Sequence, residues 1–319
     1  MLVIIRGAGD IATGIALRLH RAGYRLILTD LPQPTSIRRT VCFSEAIWHG
    51  RCTVEDVEAV LARSPEEALA LTERRQIAVL ADPESACVRH LHPAGVVDAI
   101  LAKRNLGTAI TDAPVVVAAG PGFTAGVDCH AAVETMRGHT LGRVLYIGSP
   151  LPNTGVPGVI GGQSALRILR APAAGVFCPK MEIGQMVQAG DVAATVDGVP
   201  MVCAIDGCLR GLLHEGLEVF PGMKCGDVDP RANAANCLTA SDKALAVGGG
   251  VLEAIEEMLT VARALRIPVH ISHLKAMGRD NWGVKISRAL AMLEQARQEG
   301  LEVGCDVYPY TAGSTQLIH

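Results

Sequence analysis

Short apolar runs, glycine turns and amphipathic stretches follow one another from the first residues. Leu2 to Ile5 is apolar and rich in β-branched residues, which predicts a buried strand. Gly7-Ala8-Gly9 makes a turn, and Thr13 to His20 places its apolar residues on one helical face before the stop at Ala22-Gly23. Arg25 to Thr29 is the next strand, ended by Asp30. Further along, Pro114 to Ala119 reads as a buried strand that turns at Gly120-Pro121-Gly122. Asp128 is placed as the N-cap of a helix running through Met136. Val144 to Ile147 is another strand, followed by a glycine-rich loop at Asn153-Thr154-Gly155 with Gly158, Gly161 and Gly162.

The pattern changes between Ala171 and Asp229. Short β-branched runs alternate there with Gly and Asp turns, as in an all-β unit. It changes again near Val251. Glu253 to Leu265 has helical periodicity, Val269 to Ser272 and Val303 to Tyr308 read as strands, and Ser287 to Glu299 reads as a helix closed by Gly300. The fold class that follows is α/β in three parts. A Rossmann-like parallel-sheet domain of nucleotide-binding type occupies 1–170, and a small barrel-sandwich-like β module with a return segment occupies 171–245. A β–α–β slice of a (β/α)8 barrel occupies 246–319.

Composition narrows the function. Of 319 residues, 49% are hydrophobic and 3% aromatic, so the core is built from Ala, Val, Ile and Leu, as in buried parallel sheets. A net charge of −3 with interspersed signs gives no basic face for nucleic acid. No apolar run is long enough to span a bilayer. Ten scattered cysteines do not form a disulfide framework, and the chain enters a strand directly after Met1, so a cytoplasmic protein is expected.

The opening G-x-G-x-x-A sits between a strand and a helix, with an acidic residue about twenty positions on, the context of a dinucleotide-binding turn. The candidate cofactor-binding residues are Gly7, Gly9, Asp10, Ala12, Thr13 and Asp30, with Arg38, Arg39, Gly120, Gly122 and Asp128 from later loops. The candidate cofactor is NAD(P) or another nucleotide. Asp10 counts against it, because a carboxylate inside the turn repels phosphate unless a metal or arginine intervenes; Arg38 and Arg39 could do so, or could simply be a solvated face. Cys129 and His130 are the catalytic candidates, since a helix N-terminus favours a thiolate; the alternative is a small buried Cys beside a capping His. Cys203, Cys208, Cys225 and Cys237 with His214 lack C-x-x-C spacing, and Lys180 and Lys224 lack the setting of a biotin or lipoate carrier. His90-Leu91-His92 precedes a proline and is read as coincidental.

VIIRGAGDIATGIALRLHRAGY, VVDAILAKRNLGT, AAGPGFTAGVDCHAAVETMRGH, the PNTG…GG loop and KCGDVDPR together resemble the accessory protein family of selenium-dependent molybdenum hydroxylases, over most of residues 1–255. That resemblance implies a role in maturation or operation of a molybdenum hydroxylase, with that enzyme or its maturation proteins as partners. From Val251 on, the HISHLK and DVYPYTAGST runs resemble a fragment of a zinc amidohydrolase of the D-aminoacylase (N-acyl-D-amino-acid deacylase) kind. The resemblance implies that His273 is a vestigial zinc ligand. The ligands that family takes from other strands have no match in the chain, so bound zinc and deacylase activity are not expected from the tail. Two other readings remain at this point: a zinc amidohydrolase acting on N-acyl-D-amino acids, and an NAD-dependent oxidoreductase.

Overall fold

The computed structural model describes residues 1–263 together with 269–271 and 303–305. Contacts divide the chain into two units, Met1–Glu256 and Glu257–His319. The first unit begins with β1 (Leu2–Arg6), α1 (Asp10–Arg21), β2 (Arg25–Asp30), α2 (Glu45–His49), β3 (Arg51–Val54) and β4 (Val57–Ala62). It continues through α3 (Pro65–Glu73), β5 (Ile77–Ala81), α4 (Cys87–Leu91), β6 (Gly95–Asp98), β7 (Val115–Ala119), β8 (Ala131–Val133) and β9 (Val144–Leu145). These nine strands form one sheet in the order β3-β4-β5-β2-β1-β6-β7-β8-β9. The pairs from β4 to β8 are parallel and the two edge pairs antiparallel, so the architecture is mixed α/β.

The central strands form for the reason their sequence suggests. Every residue of β1 and β7 is buried, as are the four inner positions of β2. Each fully buried Val, Leu or Ile contributes roughly 1.5–3 kcal/mol of transfer free energy before entropy is charged against it. α1 covers this sheet with Ile11, Ile15, Leu17 and Leu19. Asp10 in its first turn and Arg18, His20 and Arg21 in its last suit the helix dipole. Gly23 then turns the chain out of α1 with φ +92°.

The helix expected from Asp128 to Met136 is corrected. The segment is instead β8, laid parallel on the edge of β7 with Val117 opposite Ala131 and Ala119 opposite Val133. His130 N–H donates to Val116 O at 2.8 Å and Val116 N–H to His130 Nδ1 at 2.9 Å. β7 otherwise presents an open strand edge, and this segment's backbone groups pair with it. The strand expected over Val144 to Ile147 shortens to β9 at the sheet edge.

The second half of the unit contains β10 (Ile168–Arg170), β11 (Gly175–Pro179), β12 (Met186–Val187), β13 (Val192–Val196), β14 (Val199–Val202), β15 (Gly207–Leu212), β16 (Glu218–Val219) and β17 (Lys224–Asp229). They form two four-stranded sheets, β10-β17-β15-β12 and β14-β13-β11-β16, around a core that includes Phe177, Val196, Leu209, Leu212 and Val228. The chain then enters α5 (Asp242–Arg263). A Cβ on Gly14 would lie 2.6 Å from the Ala244 Cβ, and a Cβ on Gly248 would lie 2.7 Å from the Gly14 carbonyl oxygen. The two helices therefore meet backbone to backbone. Gly250 closes the same way on Gly142.

In the second unit β18 (Val269–Ile271) pairs in parallel with β19 (Val303–Cys305), at two positions expected to be strands. The expected helix Ser287 to Glu299 and the candidate ligand His273 lie outside the described residues. Among the described residues no helix is long and apolar enough to cross a membrane.

Candidate functional site

The glycine turn is held by its own surroundings. Gly7 adopts φ +101°, and a Cβ there would sit 2.9 Å from the Ala99 carbonyl oxygen. Gly9 is the N-cap of α1. The Asp10 carboxylate accepts from Ile11 N–H at 2.9 Å and pairs with Arg38 Nη1 at 3.4 Å, so Arg38 neutralises the acid in the turn. Ala12 and Thr13 are buried, and Thr13 Oγ1 accepts from Phe43 N–H at 2.9 Å. Asp30 accepts from Ala8 N–H and from Leu31 N–H, both at 2.8 Å. Burial raises its carboxyl above the ordinary range despite those two donors.

Gly120 packs on Thr135 and Gly122 on the Arg104 backbone. Asp128 accepts from Thr124 N–H at 2.7 Å. Cys129 is buried, and that burial pushes its thiol up to about 12. With no helix at this point, the dipole that would favour a thiolate is missing. Burial also lowers His130, whose Nδ1 is spent on Val116. Arg39 lies away from the turn and donates from Nε to Leu212 O at 2.7 Å.

Arg39 leads to a constellation the sequence did not single out. Its Nη1 is 3.3 Å from His214 Nδ1, in the turn after β15. His214 Nε2 faces both Glu45 carboxylate oxygens at 2.9 and 3.0 Å, and Glu45 is buried at the start of α2. His49, one helical turn on, brings Nε2 to 3.5 Å from Glu45 Oε2. Trp48 stacks on the His214 ring with centroids 4.4 Å apart. One ligand atom from each of Glu45, His49 and His214 lies within 4.8 Å of the others. Of these, Glu45 and His214 border a cleft of about 550 Å³ whose walls also carry Arg39, Cys52, Glu182 and Glu215. Glu45 and His49 at i, i+4 are the local signal for this site; the sequence sets His214 only beside scattered cysteines, because its pairing with Glu45 spans 169 residues.

Two imidazoles and a carboxylate are the ligand set of one class of catalytic zinc site. With Arg39 donating to Nδ1, His214 carries its proton on Nε2 and donates it to Glu45. The set fits a divalent cation once that proton leaves and Arg39 gives up Nδ1.

No family model matches the chain. It is 52% identical over 254 residues to the uncharacterized protein YqeB of Escherichia coli (strain K12), covering 80% of this chain and 47% of that protein. The chain is also similar, over a short stretch, to two proteins of Alcaligenes xylosoxydans xylosoxydans. It is 43% identical over 70 residues to a D-aminoacylase and 41% identical over 71 residues to an N-acyl-D-glutamate deacylase, 22% of this chain and 14% of each protein. The chain thus spans about half the length of the first relative and a small part of the others. Among solved structures, a succinylglutamate desuccinylase/aspartoacylase from Rhodobacter sphaeroides aligns over 21% of this chain and 22% of its own, at 24% identity and a TM-score of 0.19. An aspartoacylase family protein from Mesorhizobium loti aligns over 71% and 83%, at 12% identity and a TM-score of 0.22. Likenesses at those TM-scores carry no argument about this fold.

These matches correct the expectation of a molybdenum hydroxylase accessory protein. The relatives whose names state an activity are acylases, and the chemistry they name is acyl-amide hydrolysis, not the handling of selenium or molybdenum.

Proposed function

We propose that the chain is a metal-dependent hydrolase of acyl-amide bonds in small carboxylate-bearing substrates. One observation carries this reading: Glu45, His49 and His214 form a two-imidazole, one-carboxylate set, and Glu45 and His214 line a cleft. The names of the two deacylase relatives support the reaction class. A bound zinc ion supplies an activated water and polarises a carbonyl. The chain's own residues do the rest. Glu182 and Glu215 border the same cleft and offer carboxylates to take a proton from water. Arg39, anchored on Leu212 O, is the guanidinium available to a substrate carboxylate. Trp48 fixes the His214 ring plane by stacking.

The parallel order β5-β2-β1-β6-β7-β8 supports a Rossmann-like description of the large sheet. The paired four-stranded sheets support a barrel-sandwich-like description of the β module.

The test is zinc stoichiometry on the full chain after chelation and reloading, read by elemental mass spectrometry, with release of free amine from N-acyl amino acids. One zinc per chain that is lost in both Glu45→Gln and His214→Ala, and retained in His273→Ala, is the expected result. Zinc content unchanged in both front-unit variants refutes the site.

A further inference from the structure

A second cleft, of about 660 Å³, has a different chemistry. One wall is made of residues that follow the carboxyl ends of parallel strands: Asp10 after β1, Lys103 after β6, Pro121 after β7 and Arg137 after β8. Ligands of open parallel sheets bind at that edge, where the order reverses about the first strand. The facing wall comes from the β module and the start of α5, with Arg170, Arg210, Lys224 and Lys243.

Its positive charge is not balanced from within. Among the described residues no ion pair joins Lys103, Lys224 or Lys243 to a carboxylate. Burial lowers all three ammonium groups more than Asp10, and for Lys224 also Asp227, raises them; Lys243 is further lowered by Lys103, Arg137 and Lys224, and Lys224 by Arg167 and Arg210. The acids that face them are already engaged. Asp10 is held by Arg38 and Ile11 N–H, and Asp227 by Arg167 and Arg210. The loop carrying Lys103 is also held in an uncommon shape: Leu101 and Lys103 both have positive φ, +58° and +65°. Strained non-glycine backbone of this kind persists where its surroundings over-determine it and clusters at ligand clamps.

We infer that this cleft binds a compact polyanion, a small molecule carrying three or more negative charges on phosphate or carboxylate groups. The inference does not depend on the hydrolase reading, which rests on other residues. The lining contains Leu101, Met136, Leu151 and Val156 but no Trp, Tyr, Phe or His. The uncharged part of the ligand therefore meets aliphatic walls, and there is no ring on which a base could stack.

Titration calorimetry on the full chain at low salt tests this, with inorganic pyrophosphate and citrate as probes. Saturable binding of either probe is expected, weakening as salt rises. Tighter pyrophosphate assigns the ligand to the phosphate class, and tighter citrate to the carboxylate class. Each lysine removed should weaken binding about tenfold, so Lys103→Ala with Lys243→Ala should weaken it about a hundredfold. Lys103→Arg should keep most of it, and Lys180→Ala, outside the cleft, should keep all of it. A thermal melt of each variant shows whether it is folded. No saturable binding of either probe by the parent chain overturns the inference, as does parental affinity in a folded double variant.

Discussion

Asp227→Asn is the substitution from which the structure predicts most. Asp227 is buried, with its side chain 2% exposed, between two guanidinium groups that are themselves 9% and 8% exposed. Arg167 Nη1 pairs with one carboxylate oxygen; Arg210 Nε, at 2.9 Å, and Nη2 pair with the other. Arg210 also reaches Asp229 at 3.4 Å, and Asp229 is shared with Arg231 at 2.6 Å. The amide keeps the shape and removes the charge. Arg167 is then left buried with no carboxylate, and Arg210 keeps only Asp229, which it shares with Arg231. Breaking a buried pair costs about 3–5 kcal/mol, and the low end applies because these groups border an open cleft. For a unit of this size that is a fall in Tm of about 6–12 °C. Far-ultraviolet circular dichroism melts of the full chain at low salt read it directly. The same variant should bind pyrophosphate more tightly, because it removes a negative charge from the cleft. A fall in Tm below about 2 °C would show that solvent already screens the network and would refute the burial argument.

Gly14→Val should separate α1 from α5, because a side chain at that position has no room against Ala244; a loss of about 2–3 kcal/mol in urea unfolding is expected. Unchanged stability would mean the two helices do not touch there. A pH series on the parent chain and Lys243→Met supplies a second check. Burial holds the folded Lys243 ammonium below its unfolded value, so between those two values the unfolded chain binds more protons and the contribution of Lys243 to stability rises with pH. The stabilisation given by pyrophosphate should fall over the same window, since the anion favours the charged lysine. Parallel slopes for parent and variant would disprove the assignment.

The parts legible in the sequence were those with a short-range period. The β1–turn–α1–β2 run is such a case: four apolar residues, two glycines and a helical stripe lie next to one another. β7 showed as a pure valine and alanine run. The segment at Asp128 misled because Asp followed by small residues is also good capping sequence; the free edge of β7, a tertiary feature, decided in favour of a strand. The candidate sites were harder to read for the same reason. The sequence offers both Arg38 and Arg39 as partners for Asp10 and cannot choose between them; the pairing with Arg38 spans a turn, a helix and a strand. Glu45 meets His214 across 169 residues and Arg167 meets Asp227 across 60, separations at which no periodicity carries information. The unpaired charge of Lys103, Lys224 and Lys243 exists only after three distant loops have been brought to one cleft.

The glycine run in α5 bears on the order in which the molecule is made. Gly248, Gly249 and Gly250 together weaken an isolated helix by about 3 kcal/mol relative to alanine. This stretch is therefore helical only when α1 and the Gly142 loop are there to receive it. Synthesis completes every strand of the large sheet before α5 leaves the ribosome. Until then the Gly14 face of α1 has no cover. α5 acts as a closing latch whose own weakness prevents it from locking early, and a nascent chain halted before it carries an open seam along its first helix.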